Sequence, residues 1–308
     1  MRRHRVLSGY FMLQGEVRMG RIVRTISADA SVVCSAIDGT DIVAEIERIH
    51  GTSAVVTAAL GRLALGTSLI GFGLKDKDDS VTVKVKGGGP IGTLTAVSDS
   101  FGNVKAYCDE NIIELPLKSN GKLDVGAAVG KNGTLTVIKD LGLKEPYVGQ
   151  VELISGEIAE DITNYFAVSE QIPTVCALGV LVNPDLTVKK AGGFILQLLP
   201  FAPDECIDVI EKNIASMPSV TTMLELGLTA ENIAMNALAG LEPNVLDDFE
   251  VNYKCTCSRE RTERILMSLG KDDMAGLAED EVTEVKCHFC DKVYHFTRDE
   301  IIAMRDRK

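Results

Sequence analysis

Hydrophobic and polar residues alternate from Ser80 to about Val151, and a period of two is typical of β-strands with one buried face. In the clearest run, Val81, Val83 and Val85 are separated by threonine and lysine. Similar runs predict further strands at 94–97, 104–107 and 135–138 within this region, at 21–26 before it, and at 174–182 and 188–199 after it.

Apolar residues spaced three and four apart predict helices on both sides of these strands. The first predicted helix covers 41–49, and the second follows Ser53 and extends to about Gly73. The stretch 54–74 carries no charge except Arg62 and has the length of a membrane span. We predict a buried core helix instead, because a central arginine is costly in a bilayer and the stretch is rich in Gly, Ala and Thr. A third helix is predicted at about 155–171.

A glycine run, Gly87-Gly88-Gly89-Pro90, interrupts the strand pattern. Such a run is compatible with a phosphate-binding loop or with a tight turn between strands. No helix start and no Lys-Ser/Thr pair follows it, so we predict a turn.

Beyond Pro200 and Pro203 the pattern changes to three short helices, at 204–216, 219–226 and 229–239. None is much longer than the roughly 12–15 residues that an isolated helix needs in water, so we expect each to depend on packing against a neighbour. The predicted buried faces contain Ile207, Ile210 and Ile214 in the first helix and Ile233 and Leu238 in the third. Residues 242–250 are interpreted as an acidic connector.

These patterns predict an α+β protein with a mixed core domain of β-sheets and packed helices, a helical linker and a small C-terminal domain. The predicted boundaries are 1–18 for a basic N-terminal extension, 19–200 for the core, 201–250 for the linker and 251–308 for the C-terminal domain. Met19 is interpreted as the natural start of the chain.

Four of the eight cysteines form two tight pairs near the C-terminus. The first pair has the spacing C-x-C and the second C-x-x-C, with residues 258–286 between them; the four are Cys255, Cys257, Cys287 and Cys290. Zinc prefers four soft ligands at tetrahedral corners, so we predict one Zn²⁺ per chain, held by these four sulfurs. His288 and His295 are left out, because four thiolates already complete a structural site.

Two other interpretations of the cysteine pairs remain open. The cysteine pairs are also typical of structural disulfides. Nothing in the chain suggests secretion, however, and cytosolic thiols stay reduced, so a cytoplasmic location is predicted. A purely structural zinc site that only stabilises the fold near the C-terminus is also compatible with the spacing. The other cysteines, Cys34, Cys108, Cys176 and Cys206, occur singly in apolar settings and are predicted to be ordinary buried thiols.

The composition of the 308 residues, 45% hydrophobic and 25% charged, is that of a globular protein. Its formal net charge of −12 argues against nucleic-acid binding, which requires a basic surface, and against binding to an anionic membrane. We therefore expect neither partner.

The chain resembles the redox-regulated chaperone family called heat shock protein 33 over roughly residues 21–304. The motifs that carry the resemblance are Leu60-Gly61-Arg62, Gly87-Gly88-Gly89-Pro90, Val137-Ile138-Lys139-Asp140-Leu141-Gly142, Ser155-Gly156-Glu157, Ser169-Glu170-Gln171, Ala191-Gly192-Gly193-Phe194, Cys255-Thr256-Cys257-Ser258-Arg259-Glu260-Arg261 and Cys287-His288-Phe289-Cys290. The resemblance implies a bacterial cytosolic holdase that binds unfolded proteins, is not an enzyme, and is inactive when reduced and zinc-bound. It also implies a metastable linker, a homodimer as the active form, and zinc ligation by the four paired cysteines.

The chemistry of such a switch follows from the cysteine pairs. A zinc-bound thiolate is the nucleophile that oxidants attack, and the neighbouring sulfur of the same pair can then form a disulfide with it. Zinc supplies roughly 10–16 kcal/mol to a module of this kind, whereas whole domains are stable by about 5–15 kcal/mol. Losing the metal is therefore expected to unfold the module and expose the apolar faces of the linker, which would bind unfolded proteins.

Three rival functions are weighed against the holdase. A thiol–disulfide oxidoreductase would use Cys287 and Cys290, but such enzymes place C-x-x-C at a helix N-terminus, and here it follows a strand-like run at 281–286. A zinc-ribbon nucleic-acid binder is disfavoured by the net charge of −12. A hydrolase on the core is disfavoured because no nucleophile–base pair is evident.

Overall fold

The computed structural model describes residues 19–307, and these form an α+β fold with three antiparallel sheets. The strands are β1 Gly20–Ile26, β2 Val32–Asp38, β3 Ser80–Lys86, β4 Thr93–Asp99, β5 Val104–Cys108, β6 Thr134–Asp140, β7 Tyr147–Glu152, β8 Thr174–Val182, β9 Val188–Leu198, β10 Asn244–Val251, β11 Val282–Lys286 and β12 Val293–Thr297. The predicted fold class is confirmed, whereas the call on residues 1–18 lies outside the described residues.

The helices occur in three groups along the chain. They are α1 Thr40–His50, α2 Ala54–Gly71, α3 Val125–Val129, α4 Ala159–Tyr165, α5 Asp204–Ser216, α6 Val220–Glu225, α7 Ala230–Ala237, α8 Arg259–Ser268, α9 Lys271–Leu277 and α10 Arg298–Asp306. A π-helical turn, Phe166–Glu170, continues α4.

The first sheet has the strand order β10-β1-β2-β9-β8, and the second has the order β5-β4-β3-β6-β7. Helix α2 lies between them and contacts strands of both. Among the described residues it is the one helix whose length and composition would suit a membrane span, and 89% of that stretch is buried inside the protein. The predicted core helix is therefore confirmed.

The glycine run joins β3 to β4, which are antiparallel neighbours, so the predicted strand-to-strand turn is confirmed. Glycine is required there because the backbone of Gly130 approaches closely. A Cβ built on Gly87 would lie 2.2 Å from the carbonyl oxygen of Gly130.

Helices α5, α6 and α7 cover the face of the first sheet that points away from α2. Ile233 and Leu238 are fully buried there, as predicted. The prediction for Ile207 is wrong, because its side chain is 38% exposed. Cys206 and Ile210, four residues apart, supply the buried stripe of α5 instead, which turns Ile207 to the flank of the helix.

The segment interpreted as an acidic connector forms a strand instead, β10, which pairs antiparallel with β1 at the edge of the first sheet. Its acidic residues face basic residues of β1. Arg21 Nε donates to Asp248 Oδ1 at 2.6 Å, and Arg24 Nη1 lies 3.5 Å from Asp247 Oδ2. Backbone pairing and these charge contacts hold a segment that has few buried side chains of its own.

Candidate metal centre

The first cysteine pair follows directly from a segment that lies along the edge strand β5. Val104 N–H donates to Asn252 O at 3.0 Å, and Lys254 N–H donates to Val104 O at 2.9 Å. Immediately after the pair, Ser258 caps α8 by accepting a hydrogen bond from Arg261 N–H. Cys255 and Cys257 are thus held between a strand edge and a helix start.

The second cysteine pair occupies the turn between β11 and β12. Cys287 N–H donates to Lys292 O and Asp291 N–H donates to Cys287 O, each at 2.9 Å. Asp291 closes the turn with a φ of 59°, in the left-handed region that aspartate tolerates better than most residues. This geometry turns Cys287 and Cys290 toward the first pair.

The four sulfur atoms lie within 4.8 Å of one another. Cys255 Sγ is 3.7 Å from Cys287 Sγ, and Cys257 Sγ is 3.3 Å from Cys290 Sγ. A zinc ion about 2.3 Å from each sulfur of a tetrahedron requires sulfur–sulfur separations of about 3.8 Å. The donor set therefore fits Zn²⁺, and no histidine belongs to the cluster among the described residues.

The thiols of the cluster differ in their acidity. Burial raises the pKa of Cys255 and Cys290 above that of an ordinary thiol. Burial acts in the same direction on Cys257, but hydrogen bonds from Tyr294 and from neighbouring cysteines outweigh it and lower the pKa of Cys257 to about 7. The Tyr294 hydroxyl donates to Cys257 Sγ at 3.1 Å. Because raised pKa values keep thiols protonated, metal binding to this cluster must displace protons.

Aromatic side chains hold the second cysteine pair against the core. The ring of Phe289 meets the ring of Tyr107 edge-on, with centroids 4.9 Å apart, and His288 stacks on the same ring at 5.4 Å. The Tyr253 hydroxyl donates to Ala106 O at 3.2 Å and also to Phe289 O.

Sequence patterns did not identify these aromatic contacts. Tyr107 and Tyr253 lie far from the second pair in the chain, and no local pattern links them. Tyr294 is different, because it is one of the buried positions that alternate along β12, a period-two signal.

His288 and His295 lie outside the sulfur cluster. His288 is exposed apart from its stacking contact with Tyr107. His295 Nδ1 lies 3.3 Å from Glu284 Oε1 on the surface of the β11–β12 hairpin.

Among the described residues, the remaining cysteines belong to no group of three or more potential metal ligands. Cys34, Cys108 and Cys206 are buried and Cys176 is partly buried, which largely confirms the prediction of buried thiols. Burial raises the pKa of Cys34 and Cys176, and raises that of Cys108 to about 12, so these thiols are poor nucleophiles at neutral pH.

The comparisons with known proteins all identify the same family. A family model described as Hsp33 protein matches residues 20–297. The 33 kDa chaperonin of Lachnoclostridium phytofermentans is 47% identical over 281 residues, which is 91% of this chain and 96% of that protein. The 33 kDa chaperonin of Clostridioides difficile is 48% identical over 284 residues, 92% of this chain and 97% of its own. The crystal structure of the 33 kDa chaperonin of Thermotoga maritima matches with a TM-score of 0.86 and 35% identity, covering 94% of this chain and 99% of that one.

Proposed function

The chain belongs to the Hsp33 family, and on that premise we propose that it is a redox-regulated holdase. In this proposal it binds unfolded proteins and prevents their aggregation under oxidative stress in the cytoplasm. The reduced, zinc-bound form is inactive, and disulfide formation with zinc release activates it. The active form is a homodimer, and no catalytic reaction is required.

The observation that carries the proposal is the cluster of four sulfurs within 4.8 Å. Cys255, Cys257, Cys287 and Cys290 would hold one zinc ion, which cross-links two segments far apart in the chain. Oxidation within each pair removes all four thiolate ligands, because a disulfide sulfur no longer binds zinc. The cross-link is then lost at the same moment as the oxidation.

The chain offers a route from this cross-link to the linker. Only three residues separate the first cysteine pair from β10, and α7 is the element that precedes β10 in the chain. Loss of the cross-link is expected to loosen the segment beside β5 first and then β10. Helices α5, α6 and α7 would then detach, because contacts with the sheet would be the main interactions still holding them.

Release of the linker would expose two apolar surfaces. One is the buried stripe of the helices, which includes Ile210 and Ile233. The other is the sheet face beneath, which includes Val23, Phe194 and Leu196. Exposed contiguous apolar surface binds unfolded proteins, so both surfaces are proposed as client-binding surfaces.

The alternative of a thiol–disulfide oxidoreductase is less well supported. Cys287 and Cys290 lie in a hairpin turn between two strands, whereas low-pKa cysteines of such enzymes lie at a helix N-terminus. Insulin reduction by the zinc-free reduced protein tests this alternative directly, and turnover would favour it.

Metal content and chaperone activity, measured on the same samples, test the proposal. Reduced protein is expected to contain one zinc per chain and to leave a heat-denatured client protein free to aggregate. After peroxide treatment, zinc is expected to be released and aggregation to be suppressed. Suppression of equal strength by the reduced, zinc-loaded protein would contradict the proposal, as would oxidised protein that loses zinc without gaining activity.

A further inference from the structure

A cavity of about 360 Å³ lies beside the cysteine pairs. Its walls come from β5 of the core, from helix α8 and from the β11–β12 hairpin. Cys255, Cys257 and Cys287 line it, whereas Cys290 does not. Small molecules that enter this space therefore reach three of the four sulfurs.

The charged residues that line the cavity are all cations, namely Lys105, Arg261 and Lys286, and no carboxylate lines it among the described residues. Lys286 is paired with Asp291 at 3.0 Å, but Lys105 and Arg261 have no ion-pair partner in the described part of the chain. Lys105 Nζ is held 4.7 Å from the centre of the Phe289 ring. The cavity thus carries two unpaired positive charges.

These charges matter because the sulfur cluster and the whole chain are negative. Four thiolates and one divalent ion have a formal charge of −2, and the chain as a whole carries −12. A small anion is repelled by both. Lys105 and Arg261 offset the charge of the cluster on the side of the cavity, and low-dielectric walls strengthen their effect.

The uncharged part of the lining includes aromatic and aliphatic side chains, among them Tyr107, Ile265 and Tyr294. The volume of the cavity is at the lower end of the range of small-molecule pockets. The cavity suits a compact organic molecule with an apolar body and one or two negative charges.

We propose that this cavity is the access site through which small carboxylate-bearing disulfides oxidise the cysteine pairs. The inference deepens the proposed redox function and rests on it. A thiolate of Cys255, Cys257 or Cys287 attacks one sulfur of the small disulfide, an S–S bond breaks, and one small thiolate leaves. The second cysteine of the pair attacks the mixed disulfide and expels the other small thiolate. Two electrons pass from two cysteine sulfurs to the small disulfide, and these two sulfurs no longer serve as metal ligands.

Matched disulfides of different charge test the access site. Dithiodiglycolate carries two carboxylates, and bis(2-hydroxyethyl) disulfide is neutral. Their rates of thiol loss with the reduced, zinc-loaded full chain give an anion-to-neutral ratio at low salt. Lys105→Gln and Arg261→Gln are each expected to lower this ratio by about threefold or more, because the rate with the anionic disulfide falls more than the rate with the neutral one.

The control is Lys292→Gln, which removes a cation near the second cysteine pair but outside the cavity lining. It is expected to leave the ratio within about 1.5-fold of the wild-type value, since Lys292 does not line the cavity. An equal fall in all three variants would overturn the proposal in favour of a general field effect. An unchanged ratio in Lys105→Gln and Arg261→Gln would also overturn it.

Irreversible alkylation supplies a second readout that does not depend on disulfide formation. Iodoacetate is an anion, whereas iodoacetamide is neutral. Each alkylates a cysteine sulfur through its CH2 carbon with loss of iodide. Mass mapping is expected to find the first carboxymethyl groups on Cys255, Cys257 or Cys287 and not on Cys290. First labelling at Cys290 would contradict the assigned access route.

The two ideas fail in different ways. If peroxide-oxidised protein does not suppress aggregation, the holdase function is wrong, whatever the anion-to-neutral ratio. If the ratio is insensitive to Lys105 and Arg261 while oxidised protein suppresses aggregation, only the access site is wrong.

Discussion

Phe289 lies between two of the paired cysteines, and its ring meets the ring of Tyr107 at a centroid distance of 4.9 Å with the planes nearly perpendicular. Tyr107 belongs to the edge strand β5 of the core. A residue inside the candidate metal site is thus one of the contacts that position that site on the core.

Replacing Phe289 with alanine removes this edge-to-face contact and the cation–π contact with Lys105. Such aromatic pairs contribute about 0.5–1.5 kcal/mol beyond their buried area, so we expect looser packing without loss of the sulfur cluster. Hydrogen exchange at 252–254 should accelerate in the reduced protein, while zinc content stays at one per chain. His295→Ala is the control, because His295 is exposed on the hairpin; equal exchange in Phe289→Ala and wild type would refute the contact's role.

Replacing any of Cys255, Cys257, Cys287 or Cys290 with serine should weaken zinc binding sharply, since a neutral hydroxyl replaces a thiolate ligand. A loss of at least about tenfold in affinity is expected in competition with a chromophoric chelator. Cys34→Ser should keep one zinc per chain, because Cys34 is buried in the first sheet and does not belong to the cluster. Full zinc retention in all four cluster variants would remove the metal site from consideration.

Charged substitutions in the linker should activate the reduced protein in part. Ile210 is 4% exposed and Ile233 is fully buried, so Ile210→Lys and Ile233→Lys would bury an unpaired charge at a cost of about 3 kcal/mol or more. We expect faster hydrogen exchange across 204–237 and measurable suppression of aggregation without oxidation. Ile207→Lys is the matched control on the same helix, because Ile207 is 38% exposed. Equal protection of this segment in reduced and oxidised wild-type protein would rule the mechanism out.

Glu157 should contribute stability that depends on pH. Arg62 Nη1 donates to its Oε2 at 2.6 Å, and Lys118 Nζ and Gly126 N–H donate to its Oε1. Burial acts to raise the pKa of Glu157, but the bonds from Lys118 and Arg62 outweigh it and lower the pKa. A carboxylate with a lowered pKa stabilises the fold above its unfolded pKa of about 4.3, and this contribution is lost as pH falls through the folded value.

Glu157→Gln is therefore expected to lower the free energy of unfolding by about 1–3 kcal/mol at pH 7, since both members of the pair are only partly buried. The difference from wild type should shrink below about pH 4.3, as measured by urea denaturation of the reduced protein at several pH values. Glu45→Gln, which removes an exposed pair with Arg48, should change stability by at most about 0.5 kcal/mol. A deficit in Glu157→Gln that is the same at pH 3 and pH 7 would contradict the assignment.

Local periodicity was sufficient for elements that bury a regular face. Strand β8 occupies Thr174–Val182, as predicted, and β1 and β3 lie where alternation placed them. Strand β10 escaped prediction because its side chains are almost all exposed, and its partner β1 lies more than 200 positions earlier, as in the Arg21–Asp248 pair 227 positions apart. A window of neighbouring residues contains no signal for such a pairing.

The candidate site shows the same division. The spacing of the cysteines was enough to predict the four donors that the fold brings together. The residues around them, Tyr107, Tyr253 and the cations of the cavity, come from separate elements, so only the folded chain reveals them. Ile207 was misplaced for a related reason, because Cys206 competed for the same helix face and sequence spacing alone did not rank them.

The pairing of β1 with β10 also determines when the first sheet can be completed. During synthesis, β1 emerges early but its outer edge has no partner until Asn244–Val251 has been made. A nascent chain would therefore carry an open strand edge for most of its translation, a state prone to pairing with other chains. Since contacts between distant parts of a chain form slowly, closing this edge is expected to be among the last steps of folding.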